Sequence, residues 1–457
     1  MKTKAFELPL KTHFATVLLL FFSLTIRAQT VLDDYVKEGL QSNLIVQQKN
    51  LTLQQAQKGL QSAKNLFLPS VNLLGDYTSG DGGRSISLPV GDLLNPVYAS
   101  LNRLTQQDAF PQIENVNQNF FPKNFYDARV RTSVPLINAD LYVNKSIQGQ
   151  QVVMKQYELD LYKRQLVLEI KTAYFNYLSA NEAVKIYESA LVLVNRNVQV
   201  NESLLKNGKS LPANYLRSKS EAEKVKADLN SASNKVTNAR RYFNFLLNKN
   251  LDSEITISES STAEIIRPDA APVVMTNREE LRMLGVARSI NETTLLLNRL
   301  AHAPKMNAFL DLGSQASDWQ YNNQTRYYLV GVQFSMPLFQ GFRNRINIAQ
   351  TKMELQKTSM NITYTTAQLE LAVEVAKNDL HTTSQNYIAA NEQLKSAQSY
   401  FHLIEKGYEQ GVNSLIEFLD ARNQLTASQL QHNLRQFEVL AATAKLERET
   451  ASYTLLN

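Results

Sequence analysis

Histidines, cysteines and paired carboxylates are the side chains most able to do chemistry near neutral pH, and this sequence arranges few of them usefully. The five histidines, His13, His302, His381, His402 and His432, show no HExxH spacing, and no G-x-S-x-G or phosphate-binding glycine loop occurs. His432, on the last helical tract, is read as a surface or interhelical residue rather than a ligand. With no cysteine, the chain has no disulfide, thiolate metal site, cysteine nucleophile or lipidated N-terminal cysteine. Its one pointed constellation is Ser414-Leu415-Ile416-Glu417, which fits a capping box, with Asp420 placed where a helix dipole favours a carboxylate. The other acidic residues are spread along helix faces as solvated surface. No enzyme, metal site or cofactor is expected.

Composition narrows the class. Of 457 residues, 44% are hydrophobic and 20% charged, enough for a core and too apolar for global disorder. The formal charge of +6 includes +3 from the first 28 residues, which leaves too weak a bias for nucleic acid binding. A mean hydropathy of −0.29, and no apolar run after the N-terminus near the roughly 20 residues of a spanning helix, argue against a polytopic helical membrane protein. The one strongly apolar stretch, Phe14 to Ile26, follows Lys2, Lys4 and Lys11 and precedes Arg27-Ala28-Gln29, the order of a secretory signal peptide cut after Ala28. A short membrane anchor is the other reading, disfavoured because no second span follows. The mature protein is expected to work outside the cytoplasm.

Chain-breaking residues mark the elements. Residues 136 to 267 contain one proline, Pro212, and two glycines, Gly149 and Gly208; residues 342 to 457 contain no proline and only Gly407 and Gly411. Proline inside a helix costs about 3 kcal/mol and glycine about 1 kcal/mol relative to alanine, so these are long helical tracts. Apolar or small residues recur at three and four from Ile170 to Val198, from Tyr215 to Leu246 and from Val373 to Tyr408, the spacing of helices that supercoil about one another. Each pair of tracts reads as an antiparallel helical hairpin.

The same order appears twice. Val134-Pro135-Leu136-Ile137 answers Met336-Pro337-Leu338-Phe339 at a distance of 202 residues, and Gly208 answers Gly411 at 203. Between the helices, Ala128, Val130, Thr132 and Val134 alternate with polar residues, as do Tyr328, Val330, Val332 and Phe334, with partner segments near Leu73 and Leu310. Alternation over about 10 residues suits a transmembrane β-strand with one face to lipid. Each such segment alone also fits an ordinary half-buried strand. Four strands cannot close a conducting barrel, so in a membrane other copies must close the edges. The expected organisation is a signal peptide 1–28, a first repeat 29–250, a linker 251–275 and a second repeat 276–457. The first repeat comprises a helix 31–66, strands 69–78 and 125–136 around a long loop 79–124, and a hairpin 141–250; the second comprises a helix 277–302, strands 305–316 and 327–338, and a hairpin 343–455.

The residues from Pro337 to Arg343 (PLFQGFR) and from Gly407 to Ala421 (GYEQGVNSLIEFLDA), with weaker matches at Ala303-Pro304-Lys305 and Leu68-Pro69-Ser70, resemble the TolC-like outer-membrane efflux proteins. The resemblance covers nearly all of the mature chain. It implies a mainly α fold in which long antiparallel hairpins form a trimeric α-barrel across the periplasm of a Gram-negative bacterium. Four strands per chain would contribute to a shared twelve-stranded β-barrel in outer-membrane lipid. It further implies a homotrimer working with a periplasmic adaptor (membrane fusion) protein and an inner-membrane transporter such as a resistance-nodulation-division pump.

The resemblance also assigns residues. Glu417 and Asp420 match acidic positions that threefold symmetry gathers into rings at the periplasmic mouth, a reading compatible with the capping box. Tyr408 matches a tyrosine that helps hold that mouth shut, although it also lies on the heptad series and fits a packing residue. Asn214 stands where the best-known member has an acidic partner for the tyrosine, and Asn413 where it has a gate arginine; an amide accepts a hydrogen bond but pairs no charge. A closed state held more by packing and neutral hydrogen bonds than by ion pairs is therefore expected. Gly208 and Gly411 suit left-handed helix ends. With Ser210, Pro212, Ser414 and Leu415 they form the tips that would meet the adaptor. Pro135, Pro337 and Gly341 mark the junctions from strand to helix. Loop 79–124 is the least family-like part, and Trp319 and Tyr321 suit an aromatic girdle. Two function classes follow: a passive exit duct of a tripartite efflux or type I secretion system, or a secreted coiled-coil structural or adhesive protein without a pore.

Overall fold

The computed structural model describes residues 31–121, 123–257 and 278–455. The expected signal peptide and most of the expected linker lie outside the described residues. The elements in order are α1 (Val31–Ser42), α2 (Leu44–Asn65), β1 (Ser70–Thr78), β2 (Ser85–Leu88), α3 (Val90–Thr105), β3 (Val116–Asn119), β4 (Phe125–Ile137), α4 (Ala139–Lys206), α5 (Pro212–Leu246), α6 (Glu279–Arg299), β5 (Lys305–Ser317), β6 (Arg326–Ser335), α7 (Arg343–Glu409) and α8 (Leu415–Thr450). The chain divides into two compact units that do not follow the repeat: one takes Met1–Gln55, Val152–Arg288 and Lys357–Asn457, the other Ala56–Gln151 and Ser289–Gln356. No helix among the described residues is long and apolar enough to cross a membrane.

The first unit is helical. α4 and α7 run for 68 and 67 residues, as proline-free tracts allow. Val36, Leu166, Ile170, Tyr174, Phe243, Leu247 and Phe437 form its main core, joining α1, α4, α5 and α8. Gly39 lets α1 approach so closely that a Cβ there would stand 2.3 Å from Ile170 Cδ1. The expected single helix 31–66 is broken at Asn43. Its side-chain oxygen accepts the backbone N–H groups of Ile45 and Val46, capping α2, while its amide donates to the Leu246 carbonyl at 2.9 Å.

The second unit holds an antiparallel sheet in the order β1-β4-β5-β6. Register puts Leu73, Val130, Leu312 and Tyr328 in one row across all four strands, and Val71, Thr132, Leu310 and Val330 in the next on the same face. Leu73 and Tyr328 there are 81 and 77% exposed, far beyond what a sheet packed on a core shows. The opposite face carries Asn72, Asp76, Asp127, Arg129, Arg131 and Asp311. Among the described residues, β1 and β6 each have a partner on one side only.

β6 ends at Ser335, short of the expected 338, since Pro337 has no N–H to give a ladder. Pro135 lies within β4, where the register shifts between Pro135 and Ile137. Segment 79–124 is more than a loop: it contains α3 and the β2-β3 pair.

Candidate functional site

In the helical unit, the two turns expected as tips have the same architecture. α4 ends with Lys209 N–H donating to the Leu204 carbonyl (2.8 Å) and Gly208 N–H to Leu205 (3.0 Å); α7 ends with Val412 N–H donating to Gly407 (2.8 Å) and Gly411 N–H to Tyr408 (3.1 Å). These are paired Schellman motifs, and Gly208 and Gly411 sit at φ +67° and +77°, where a side chain would be strained. The helix starts differ. α5 begins with Leu211 as an uncapped N-cap and Pro212 in the first turn, and Ser210 instead accepts from the Asn214 amide at 3.1 Å. α8 begins with a full capping box on Ser414 and Glu417.

Glu417 has three donors. Its Oε2 accepts the Ser414 N–H (2.7 Å), the Ser414 hydroxyl (3.0 Å) and the Asn413 amide (3.4 Å). The backbone N–H of Ser414 above all, then its hydroxyl and Asn413, hold this exposed carboxyl below its ordinary pKa. Asp420 is exposed one turn further along the same helix. Asn413 folds back over α7, where a Cβ on Gly407 would collide with its Oδ1 at 1.8 Å.

Leu415 is only 6% exposed. It packs with Phe418, Leu419, Ala421 and Phe401 in a small core beneath the turn, so its side chain faces inward rather than toward a partner. The apolar side chains that the turns present are Leu211, Val412 and Ile416, at 69, 77 and 75% exposed. Leu211 and Val412 are marked in the sequence by standing directly against turn serine, proline or glycine, whereas Ile416, between Leu415 and Glu417, carries no such mark.

Tyr408 stacks on Phe418, with ring centroids 4.8 Å apart, and its hydroxyl accepts from the Asn201 amide at 3.1 Å. Asn214 does not reach it within the chain. Asn201 also donates to the Asn197 carbonyl and side-chain oxygen, and the Ser218 hydroxyl donates to Asn197 Oδ1 at 2.8 Å. Asn197, Asn201 and Ser218 are all buried. Beside this neutral network, Arg422 on α8 meets Glu221 on α5 at 2.6 Å, and Lys171 on α4 meets Glu447 on α8 at 2.5 Å, so charged links also join the hairpins. Burial lowers the Arg422 pKa against the opposing pull of Glu221. Asn197, Asn201, Glu221 and Arg422 were not singled out from the sequence; only the tertiary pairing reveals them. His432 lies against the Tyr387 ring, half-buried, with burial lowering its pKa. Among the described residues, no group of three His, Asp or Glu could hold a metal ion.

The junction residues lie in the sheet unit. Past β6, the Pro337 carbonyl accepts from His302 Nδ1 at 2.7 Å, and Gly341 and Phe342 both sit at φ +60° before α7 starts. On the polar sheet face, Arg131 forks onto Asp311 at 2.7 and 2.8 Å, and Arg129 pairs with both Asp76 and Asp127. Tyr327 reaches across β5 to donate to Asp127 at 2.7 Å, and Gly313 keeps that path clear. Tyr77 and Tyr126 both stack on Trp319 at the end of the sheet.

A family model described as "Outer membrane efflux protein" matches residues 36–249 and 274–451. The "Solvent efflux pump outer membrane protein SrpC" of Pseudomonas putida is 22% identical over 358 residues, covering 73% of this chain and 75% of that protein. The fold is that of the Campylobacter jejuni CmeC outer membrane channel, with a TM-score of 0.73 at 13% identity over 92% of this chain and 85% of that one. The outer membrane protein VceC of Vibrio cholerae gives 0.70 at 13% identity, over 92% and 95%.

Proposed function

Because this chain belongs to the outer membrane efflux protein family, we propose that it is one third of a passive duct, the outer-membrane component of a tripartite efflux or type I secretion system. The observation that carries this reading is the sheet. One face presents bare Leu73, Tyr328, Val330 and Phe334 while the other pairs its charges internally, as a wall between lipid and water requires. Its edges, β1 and β6, would leave backbone groups unpaired in lipid, so each joins the opposite edge of another copy, and three chains give twelve strands. A pore-free secreted structural protein would have no use for so large an exposed apolar face.

The duct performs no chemistry. Its residues set what passes and what docks. Glu417 and Asp420 of three chains form acidic rings at the periplasmic mouth that favour cations. Tyr408, with Asn201 and the nearby Asn214 and Asn413, holds that mouth narrow. The turns at Gly208, Ser210, Pro212, Gly411 and Ser414, with Leu211, Val412 and Ile416 as their exposed apolar contacts, meet the periplasmic adaptor, which links the duct to an inner-membrane transporter. Reconstitution into planar bilayers tests the reading: unitary steps of conductance support it, and purified protein that leaves the bilayer silent contradicts it.

A further inference from the structure

The insertion between β1 and β4 contains an amphipathic helix mounted inside out. On the inner side of α3, Gly91 packs on the Ile113 carbonyl, and Asn95 and Asn102 each both donate to and accept from the backbone of segment 110–113. Asp92 is held by Asn115 through its N–H and its carboxylate. These bonds fix the roll of the helix. Its outer side, at i, i+4 and i+11, carries Leu93, Val97 and Leu104, exposed at 69, 51 and 81%. Ile86, Leu88 and Val116 of the β2-β3 pair are about half exposed as well. A helix that satisfies its amides inward and shows Leu93, Val97 and Leu104 outward is built to be covered by something else.

We propose that a second copy of this chain covers it: in the trimer, the α3 faces of the three chains meet over the outer opening of the barrel and close it with an apolar plug. This rests on the trimeric duct proposed above. Two observations choose the occupant. The insertion leaves directly from the end of β1, the open sheet edge that pairs with the next chain, so it stands at the seam between copies. An anionic lipid surface would instead be met by a helix rich in Lys and Arg, whereas the only charged residues of α3 are Asp92 and Arg103. An uncharged stripe suits its own symmetry mates.

Because the chain has no cysteine, Leu104→Cys or Val97→Cys introduces a single thiol per copy. Treated with a flexible bis-maleimide, the detergent-extracted trimer should give covalent dimers at a yield independent of protein concentration, while Ala99→Cys on another side of α3 should not. The triple variant Leu93→Ser, Val97→Ser, Leu104→Ser, altered only at exposed positions, should at least double the unitary conductance. A trimeric, conducting protein that does not cross-link, keeps its conductance when the stripe is made polar, or labels at Leu104→Cys from the lipid phase overturns the plug and leaves the duct standing. Wild-type protein that neither trimerises nor conducts overturns both.

Discussion

Arg422 and Glu221 meet at 2.6 Å with 1 and 6% of their surfaces exposed, an ion pair that ties α8 of the second repeat to α5 of the first. Among the described residues Arg422 Nε has no hydrogen-bond partner, so Glu221 is the carboxylate that the guanidinium directly bonds, with Asp228 acting on it only through its charge. Removing one partner of a buried pair strands the other, at a cost of about 3–5 kcal/mol, whereas replacing both by apolar residues is close to neutral. Arg422→Met should therefore lower the melting temperature of the detergent-solubilised protein sharply, and Arg422→Met with Glu221→Leu should recover most of the loss. Equal effects of single and double variants would show that the pair does not couple the hairpins.

Tyr408→Phe removes the acceptor of one Asn201 hydrogen bond but keeps the stack on Phe418. Since Asn201 retains Asn197, the stability loss should be about 1 kcal/mol or less. The resting conductance in planar bilayers should rise. An unchanged conductance would leave Tyr408 as a packing residue.

Acid should weaken the second turn through Glu417. Its pKa is lowered in the fold, chiefly by the Ser414 N–H, so its contribution is present above the unfolded value and fades as pH falls through the folded one. The difference in melting temperature between wild type and Glu417→Gln should be full at neutral pH and shrink below about pH 4, where an ordinary glutamate protonates. A difference that does not change with pH would mean that the carboxylate charge plays no part in the cap.

Close packing of α1 on α4 gives a stability prediction. Gly39→Ala drives a methyl into Ile170 Cδ1, 2.3 Å from the new Cβ, and should cost about 1–3 kcal/mol as overpacking. Ile170→Val removes that Cδ1, so the double variant should be more stable than Gly39→Ala alone. Thermal unfolding of the three variants checks the order, and additive losses would contradict it.

The sequence revealed the long helices and their turns because each is written locally. The three-and-four spacing from Val373 to Tyr408 and the glycines at 208 and 411 need no knowledge of what lies across the bundle. Strand alternation placed β1, β4 and β5 within a residue or so at each end, while the end of β6 was overrun because Met336 and Leu338 continue the apolar pattern past the proline that stops the ladder. α3 was hidden for a different reason. Pro96 interrupts its pattern, and its apolar stripe faces away from the chain that folds it. At the candidate site, Glu417 and its capping box were legible, since Ser414 stands three residues away. Glu221 and Arg422 are 201 residues apart, and neither residue type at its own position announces the other.

The claim on which the rest depends is that one chain supplies only a third of a membrane-embedded wall. Native mass spectrometry of protein extracted from membranes tests it most directly. A detergent-dependent complex of three copies of the mature chain is expected. A single copy that stays in solution without detergent would contradict it.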